Sequence, residues 1–368
     1  MPSPDPAPAV LDLAEVQEVV VAAAAAGEEA GALTPAVVAA LRRAGLFALH
    51  QPPDLGGHGL PLPVACAAIA RVAEADGAAG WAAMIGSGPA WFAGHMDPEG
   101  AAEVFGDGGA VAGSGQPGRA QPAGGGDWRV SGRWRWCSGA PWAEWFTFNA
   151  ADPDGEVVTV AVPAAEVTVH PGTWDVRGLR ATASLDASVD GAVVPAHRAF
   201  RVGSAPRRPE AVFHVPFVAF AQATMGAVPV GVARRAVREA AALAGAKVPT
   251  HGDRPLAQQP PARQSLAGAA AAVAAAEAGL ERATEEVWAA VADGREPGAD
   301  ALLGLGLAAI HAARTGVQVA TDLGVVAGMS ALDRSSALGR ALADLPAAAR
   351  NTLLSEARLA EVDPAALA

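Results

Sequence analysis

Trp128-Arg129-Val130-Ser131-Gly132-Arg133-Trp134-Arg135-Trp136-Cys137-Ser138-Gly139 is the stretch from which the class of fold follows. Trp128, Val130, Trp134 and Trp136 alternate with polar residues around Ser131-Gly132, which reads as a two-residue turn. A period of two marks half-buried strands. Phe146 and Phe148 alternate ahead of the turn Asp152-Pro153-Asp154-Gly155, and 157–162, 167–169 and 187–194 add further strand patterns. On either side the period is that of a helix. Upstream, Thr34-Pro35 is an N-cap followed by proline at the first helical position, with Gly45 closing that helix. A second segment covers 62–74, and Asp97-Pro98 opens a third that ends at Gly106. Downstream of the Pro/Arg-rich link 204–209, long helical segments are predicted at 217–243, 262–292, 301–326 and 334–359. The sequence therefore predicts an α+β chain: a helical domain over 1–110, an antiparallel β-barrel domain over 111–205 and a four-helix bundle over 206–368.

The chain has 368 residues, 51% hydrophobic and 17% charged, which suffices for a large core and excludes a disordered polymer. Lys plus Arg is 26 and Asp plus Glu is 38, so the net charge is 26 − 38 = −12, a sign that repels nucleic acid and anionic membranes. Mean hydropathy is +0.24, yet the purely apolar stretches 19–26 and 266–276 fall short of a membrane span. No basic segment precedes an apolar stretch at the start, so no leader is read and a soluble, cytoplasmic protein is expected. Cys66 and Cys137 are too few for a disulfide framework or a thiolate metal site.

Gly113-Ser114-Gly115-Gln116-Pro117-Gly118 matches G-x-G-x-x-G, but prolines and a strand pattern follow where a dinucleotide site needs a helix. A glycine-rich strand is expected instead. Gly328-Met329-Ser330-Ala331-Leu332 is no nucleophile elbow, because Leu332 stands where the last glycine is required. The eight histidines show no ligand spacing, and no metal is expected. Trp134 and Trp145 suit a sheet core. Trp136 and Ser138 end a strand, where a flat aromatic beside a hydroxyl and open backbone N–H groups suits a planar heteroaromatic ligand.

In order along the chain, Leu55-Gly56-Gly57-His58-Gly59, Ala75-Asp76-Gly77-Ala78-Ala79-Gly80-Trp81, the 132–139 stretch with Trp145, Trp174-Asp175-Val176-Arg177-Gly178-Leu179-Arg180-Ala181-Thr182-Ala183-Ser184, Val194-Pro195-Ala196-His197-Arg198, and Ala327-Gly328-Met329-Ser330-Ala331-Leu332 with Leu338-Gly339-Arg340 and Asp344-Leu345 resemble the acyl-CoA dehydrogenase superfamily. The nearest branch is that of the two-component reduced-flavin monooxygenases, similar to the oxygenase component of p-hydroxyphenylacetate hydroxylase and to sugar nitrososynthases. No single motif is specific; their order over nearly the whole chain is. The resemblance implies helical domain, barrel and bundle, with the flavin ring between barrel and bundle. It places Trp136, Ser138 and Gly139 against the ring, the 328–331 loop (Gly328, Ser330, Ala331) at the flavin tail, and Arg263 and Gln264 as further phosphate candidates. Relatives carry a His near Trp142 and another, or a catalytic Glu, near Asn351; asparagine hydrogen-bonds but is no base near neutral pH.

The expected function is monooxygenation of a small organic substrate with reduced FMN from a separate reductase, FAD being the alternative cofactor. Ser138 and Asn351 are the candidate catalytic residues, and Trp91, Phe92, His95 and Trp142 line the substrate side. A flavin oxidase or dehydrogenase, and a relative that has lost redox chemistry, are the rival readings. Wide apolar faces on 267–280 and 301–313, with the resemblance, imply a homotetramer.

Overall fold

Thr34 accepts a hydrogen bond from Val37 N at 3.4 Å and Pro35 opens the helix, as the cap signal predicts. In the computed structural model, which describes residues 11–250 and 252–367, five helices precede the sheet: α1 Ala14–Ala30, α2 Pro35–Arg43, α3 Leu62–Ala75, α4 Gly77–Ser87 and α5 Pro98–Phe105. Residues 1–10, on which the reading for a leader partly rests, lie outside the described ones. Asp97 caps α5 through Glu99 N, again as predicted.

Seven strands follow: β1 Val111–Gly124, β2 Asp127–Cys137, β3 Trp145–Ala151, β4 Val157–Pro163, β5 Thr168–His170, β6 Leu185–Val194 and β7 Ala199–Phe200. They form one sheet in the order β5-β6-β2-β1-β3-β4-β7. This corrects the antiparallel barrel in two respects. The sheet is open, and β1 and β3 run parallel. The chain leaves β2 beside the start of β1, crosses over in 138–144, and re-enters alongside Val111 with Trp145. The hairpin turn also differs from the reading. Ser131-Gly132 lies within β2, and the reversal is made by Gly124, Gly125 and Gly126, all with positive φ. Gly132 and Gly118 instead make room for the Trp134 indole, which stacks on Phe148 with ring centroids 4.1 Å apart. The G-x-G-x-x-G stretch lies inside β1, as expected. Trp134, Phe146, Phe148, Val130 and Val160, each fully buried, fill a core within the sheet.

The carboxyl-terminal part holds α6 Phe217–Ala246, α7 Pro260–Ala292, α8 Ala299–Ala327 and α9 Ala337–Ala348. α6 packs on α3, α4, α7, α8 and α9, so one core joins the helices on both sides of the sheet in sequence. The fourth segment is shorter than predicted. Ser336 caps it and Pro346 removes an N–H from its last turn, after which 3-10 turns carry the chain. α6 and the stretch Ala299–Leu332 are long and apolar enough for a membrane span, at mean hydropathy 1.2, which the apolar-run count missed; 78% of the α6 window is buried inside the protein.

Candidate active site

The period of two fails at one residue in β2, and that failure builds the site. Trp134 pairs with Ala187 but Cys137 pairs with Leu185, so β2 carries one extra residue. Such a bulge re-aims side chains. Trp136 takes φ 64°, a left-handed conformation that is strained for a bulky residue. Its indole turns outward and is 51% exposed, while Trp134 and Cys137 stay in the core. Trp136 is thus not on the Trp134 face, contrary to the alternation. The Arg135 guanidinium covers one side of the Trp136 indole, 4.5 Å from the ring centre.

Ser138 follows, buried, and its hydroxyl belongs to a chain of hydrogen bonds with a fixed direction. Thr182 Oγ1 donates to Leu179 O at 2.7 Å, which uses its only proton. Ser184 Oγ, 2.7 Å from Thr182 Oγ1, must then be the donor to it. By the same argument Ser138 donates to Ser184 across 2.7 Å, and Trp81 Nε1 donates to Ser138 Oγ at 3.1 Å. Ser138 is left with one unused lone pair and no free proton. The backbone around it is equally committed: Ser138 N donates to Trp136 O and Gly139 N to Thr182 O. The N–H groups of Ser138 and Gly139, expected open at this strand end, are therefore occupied, and the spare hydrogen-bonding capacity of the Ser138 hydroxyl is that of an acceptor. Gly139, at φ 80°, lies against Trp142, whose Nε1 is 3.2 Å from where a Cβ would sit, so Trp142 joins the Trp136–Gly139 turn.

The far end of the hydroxyl chain is held by buried carboxyl groups. Leu179 and Ala183 both have positive φ, at 50° and 45°. Leu179 N donates to Asp344 Oδ1 at 2.6 Å. Asp76, the cap of α4 through Ala79 N, lies near Asp344, and Arg340 approaches it with Nε 3.8 Å from Oδ2. Trp81 rides on that same α4. Asp76 and Asp344 thus position both ends of the chain that ends at Ser138. Burial, and then the neighbouring Asp76, push the Asp344 carboxyl well above the usual carboxylate range. The folded protein consequently keeps a proton that the unfolded chain gives up from about its ordinary value of 3.8 upward. The stability tied to that proton is complete below the ordinary value and is lost as pH rises through the raised one. Asp344→Asn keeps an acceptor for Leu179 N and has no proton to lose. Urea midpoints between pH 4 and 8 should fall less steeply for the variant than for the wild type.

The remaining sequence candidates are dispersed. Trp91 and Phe92 are buried in an aromatic cluster with Phe217, Phe220 and Phe200, and Trp91 Nε1 donates to Val215 O at 3.1 Å. This is core packing. His95 stacks on Trp91 with centroids 3.9 Å apart; its Nδ1 meets Ser204 O at 3.0 Å, but its Nε2 is buried without a partner. Sequence reasoning missed His50, which meets Phe220 edge-on and has neither ring nitrogen hydrogen-bonded to a side chain or backbone group. Burial pulls its pKa down to about 4. Two imidazoles with orphaned nitrogens therefore border one aromatic cluster. Asn351 serves its own turn, with Oδ1 accepting from Leu353 N at 2.9 Å, and no hydrogen bond brings it to Ser138. Arg263 and Gln264 are exposed in the first turn of α7 with no side-chain bond among the described residues. Gly328, Ser330 and Ala331 form a 3-10 turn rather than an open loop of free N–H groups. Lys247, the only lysine of the chain, pins that turn by donating to Ala327 O at 2.7 Å and Ser330 Oγ at 3.1 Å. Glu99, Glu103 and His197 bring possible ligand atoms within 4.8 Å of one another, a convergence their sequence separation hides, but Arg198 also binds Glu103.

The same fold occurs in the crystal structure of 3-HSA hydroxylase from a Rhodococcus species, with a TM-score of 0.88, 23% identity, and 95% and 94% of the two chains covered. Residues 223–356 match the family model of the acyl-CoA dehydrogenase C-terminal domain. Over those residues the chain is similar to the C-terminal domain of the acyl-CoA dehydrogenases. Among the proteins it resembles, the indole-3-acetate monooxygenase of Pseudomonas putida is 28% identical over 87% of this chain and 83% of its own. The oxygenase component of an FADH2-dependent resorcinol hydroxylase from a Rhizobium species is 28% identical over 68% of this chain and 66% of its own.

Proposed function

We infer that this protein is the oxygenase component of a two-component flavin monooxygenase, hydroxylating a small aromatic substrate with reduced flavin supplied by a separate reductase. Bound reduced flavin supplies the two electrons that activate O₂. The observation that carries this reading is the acceptor-only Ser138 hydroxyl beside the outward Trp136 indole. A reduced isoalloxazine bears an N–H donor at N5 where the oxidised ring has only a lone pair. The Ser138 acceptor therefore fits the reduced ring, and Trp136 offers a flat apolar cover for it. FMN is the cofactor we favour, with FAD the alternative. Trp142, packed on Gly139, and the orphaned nitrogens of His50 and His95 are the groups we assign to the substrate side. A dehydrogenase would need a free carboxylate base, whereas Asp344 and Asp76 are engaged by Leu179 N and Ala79 N. Incubation with a flavin reductase, NADH and a panel of phenols and indoles under ¹⁸O₂ tests the reading. Label in a product supports it, and reduced flavin consumed without any labelled product across the panel opposes it.

The four C-terminal helices are read as a bundle that also assembles the protein. Val325 is 81% exposed, Met329 78% and Leu332 58%, next to an alanine-rich exposed face on α7. Apolar surface of this kind marks an interface, and we propose a homotetramer in the cytoplasm, a compartment that suits the unbridged Cys66 and Cys137. Light scattering should return the mass of four chains, and Val325→Glu with Met329→Glu should lower it; a wild-type monomer would refute the assembly.

A further inference from the structure

A cleft of about 300 Å³ opens between the 175–180 loop and the segment 331–343. Four guanidiniums line it, those of Arg177, Arg180, Arg334 and Arg340, against two carboxylates, Glu28 and Asp175. That excess of positive charge stands in a chain whose net charge is −12. The arginines are not equivalent. Arg180 is held by Glu28 O and Asp175. Arg340 is buried, 7% exposed, with Nη1 donating to Arg334 O and Ser335 O and Nε ion-paired with Asp76 Oδ2 at 3.8 Å. Arg177 and Arg334 are exposed and make no side-chain hydrogen bond or ion pair among the described residues. Gly178 and Gly339 contribute lining without side chains, so a ligand meets backbone between the guanidinium groups.

We propose that this cleft binds the phosphate group of a phosphorylated small molecule. A phosphate monoester is a compact dianion whose oxygens accept paired hydrogen bonds from arginine forks, and the two unpaired forks of Arg177 and Arg334 match it. The volume admits a phosphate with its adjoining hydroxylated carbons, and is at the lower limit of small-molecule sites. The phosphate belongs either to the flavin, an arm that rests on the function proposed above, or to a separate phosphorylated ligand.

Full-length protein is titrated calorimetrically with inorganic phosphate, and anaerobically with reduced FMN and reduced riboflavin, in wild type and in Arg177→Gln/Arg334→Gln. Both residues are exposed and unpaired, so the variant keeps its fold, and circular dichroism checks this. Phosphate binding that weakens at least about tenfold in the variant is the expected result. If reduced FMN outbinds reduced riboflavin in the wild type and the advantage disappears in the variant, the source is the flavin. Equal binding of the two flavins, or binding of neither, with phosphate still sensitive to the variant, supports a separate phosphorylated ligand; binding of neither removes the flavin reading alone. Wild type and variant binding phosphate equally, or not at all, overturns the site.

Discussion

In Ser138→Ala, reduced FMN binds more weakly and a larger share of reducing equivalents leaves as hydrogen peroxide instead of product. The substitution removes the one free acceptor at the strand end and strands the Trp81 indole N–H in a buried position. Losing such a bond costs about 1–3 kcal/mol, or a factor of about 5 to 150 in affinity or in the rate of the unproductive path. Ser184→Ala gives a sharper contrast, because it leaves Ser138 in place and frees its proton. Ser138 can then donate to a bare ring nitrogen, so the variant gains affinity for oxidised FMN while losing little for the reduced form. A serine that merely ends a strand would yield neither change. Anaerobic titrations of both redox states, with peroxide measured per turnover, separate the two cases.

Gly178→Ala is the second large effect expected. Gly178 has φ 86°, and a Cβ there would fall inside contact distance of Ala343 O on α9. The left-handed backbone costs a non-glycine residue about 1–2 kcal/mol, and the collision about 1–3 kcal/mol more. A loss of roughly 2–5 kcal/mol is expected. The neighbouring residue is Leu179, whose N–H binds Asp344 and whose carbonyl anchors Thr182. Displacement there disturbs the Ser138 chain, so preference for reduced FMN falls together with thermal stability. Gly172→Ala is the control: its φ is 76° with nothing within 4 Å of a Cβ. It should lose only the backbone contribution in thermal scans and leave flavin selectivity intact.

The helix caps Thr34 and Asp97, the strand character of 111–200 and the place of Ser138 at a strand end were legible, because each rests on local chemistry or on periodicity. Three features were not. The parallel β1–β3 pair follows from a crossover whose course depends on tertiary packing. The bulge at Trp136 breaks the period of two, so alternation alone groups its indole with Trp134, from which the structure separates it. The hydroxyl chain joins Ser138 to Ser184, 46 residues away, and the carboxyl group behind it joins Leu179 to Asp344 across 165 residues. Thr182 and Ser184 flank Ala183 in the 174–184 stretch, and that pair of hydroxyls is a usable signal in the sequence. Lys247, the single lysine of the chain, was another.

The central claim is that this site selects flavin by redox state through the direction of a hydrogen-bond chain. Anaerobic titration of the wild-type protein with FMN, fully oxidised and then fully reduced, tests it most directly. Reduced FMN should bind at least about tenfold more tightly than oxidised FMN, with the ratio collapsing in Ser184→Ala. Equal affinity for both states, or tighter binding of the oxidised form, would contradict the account.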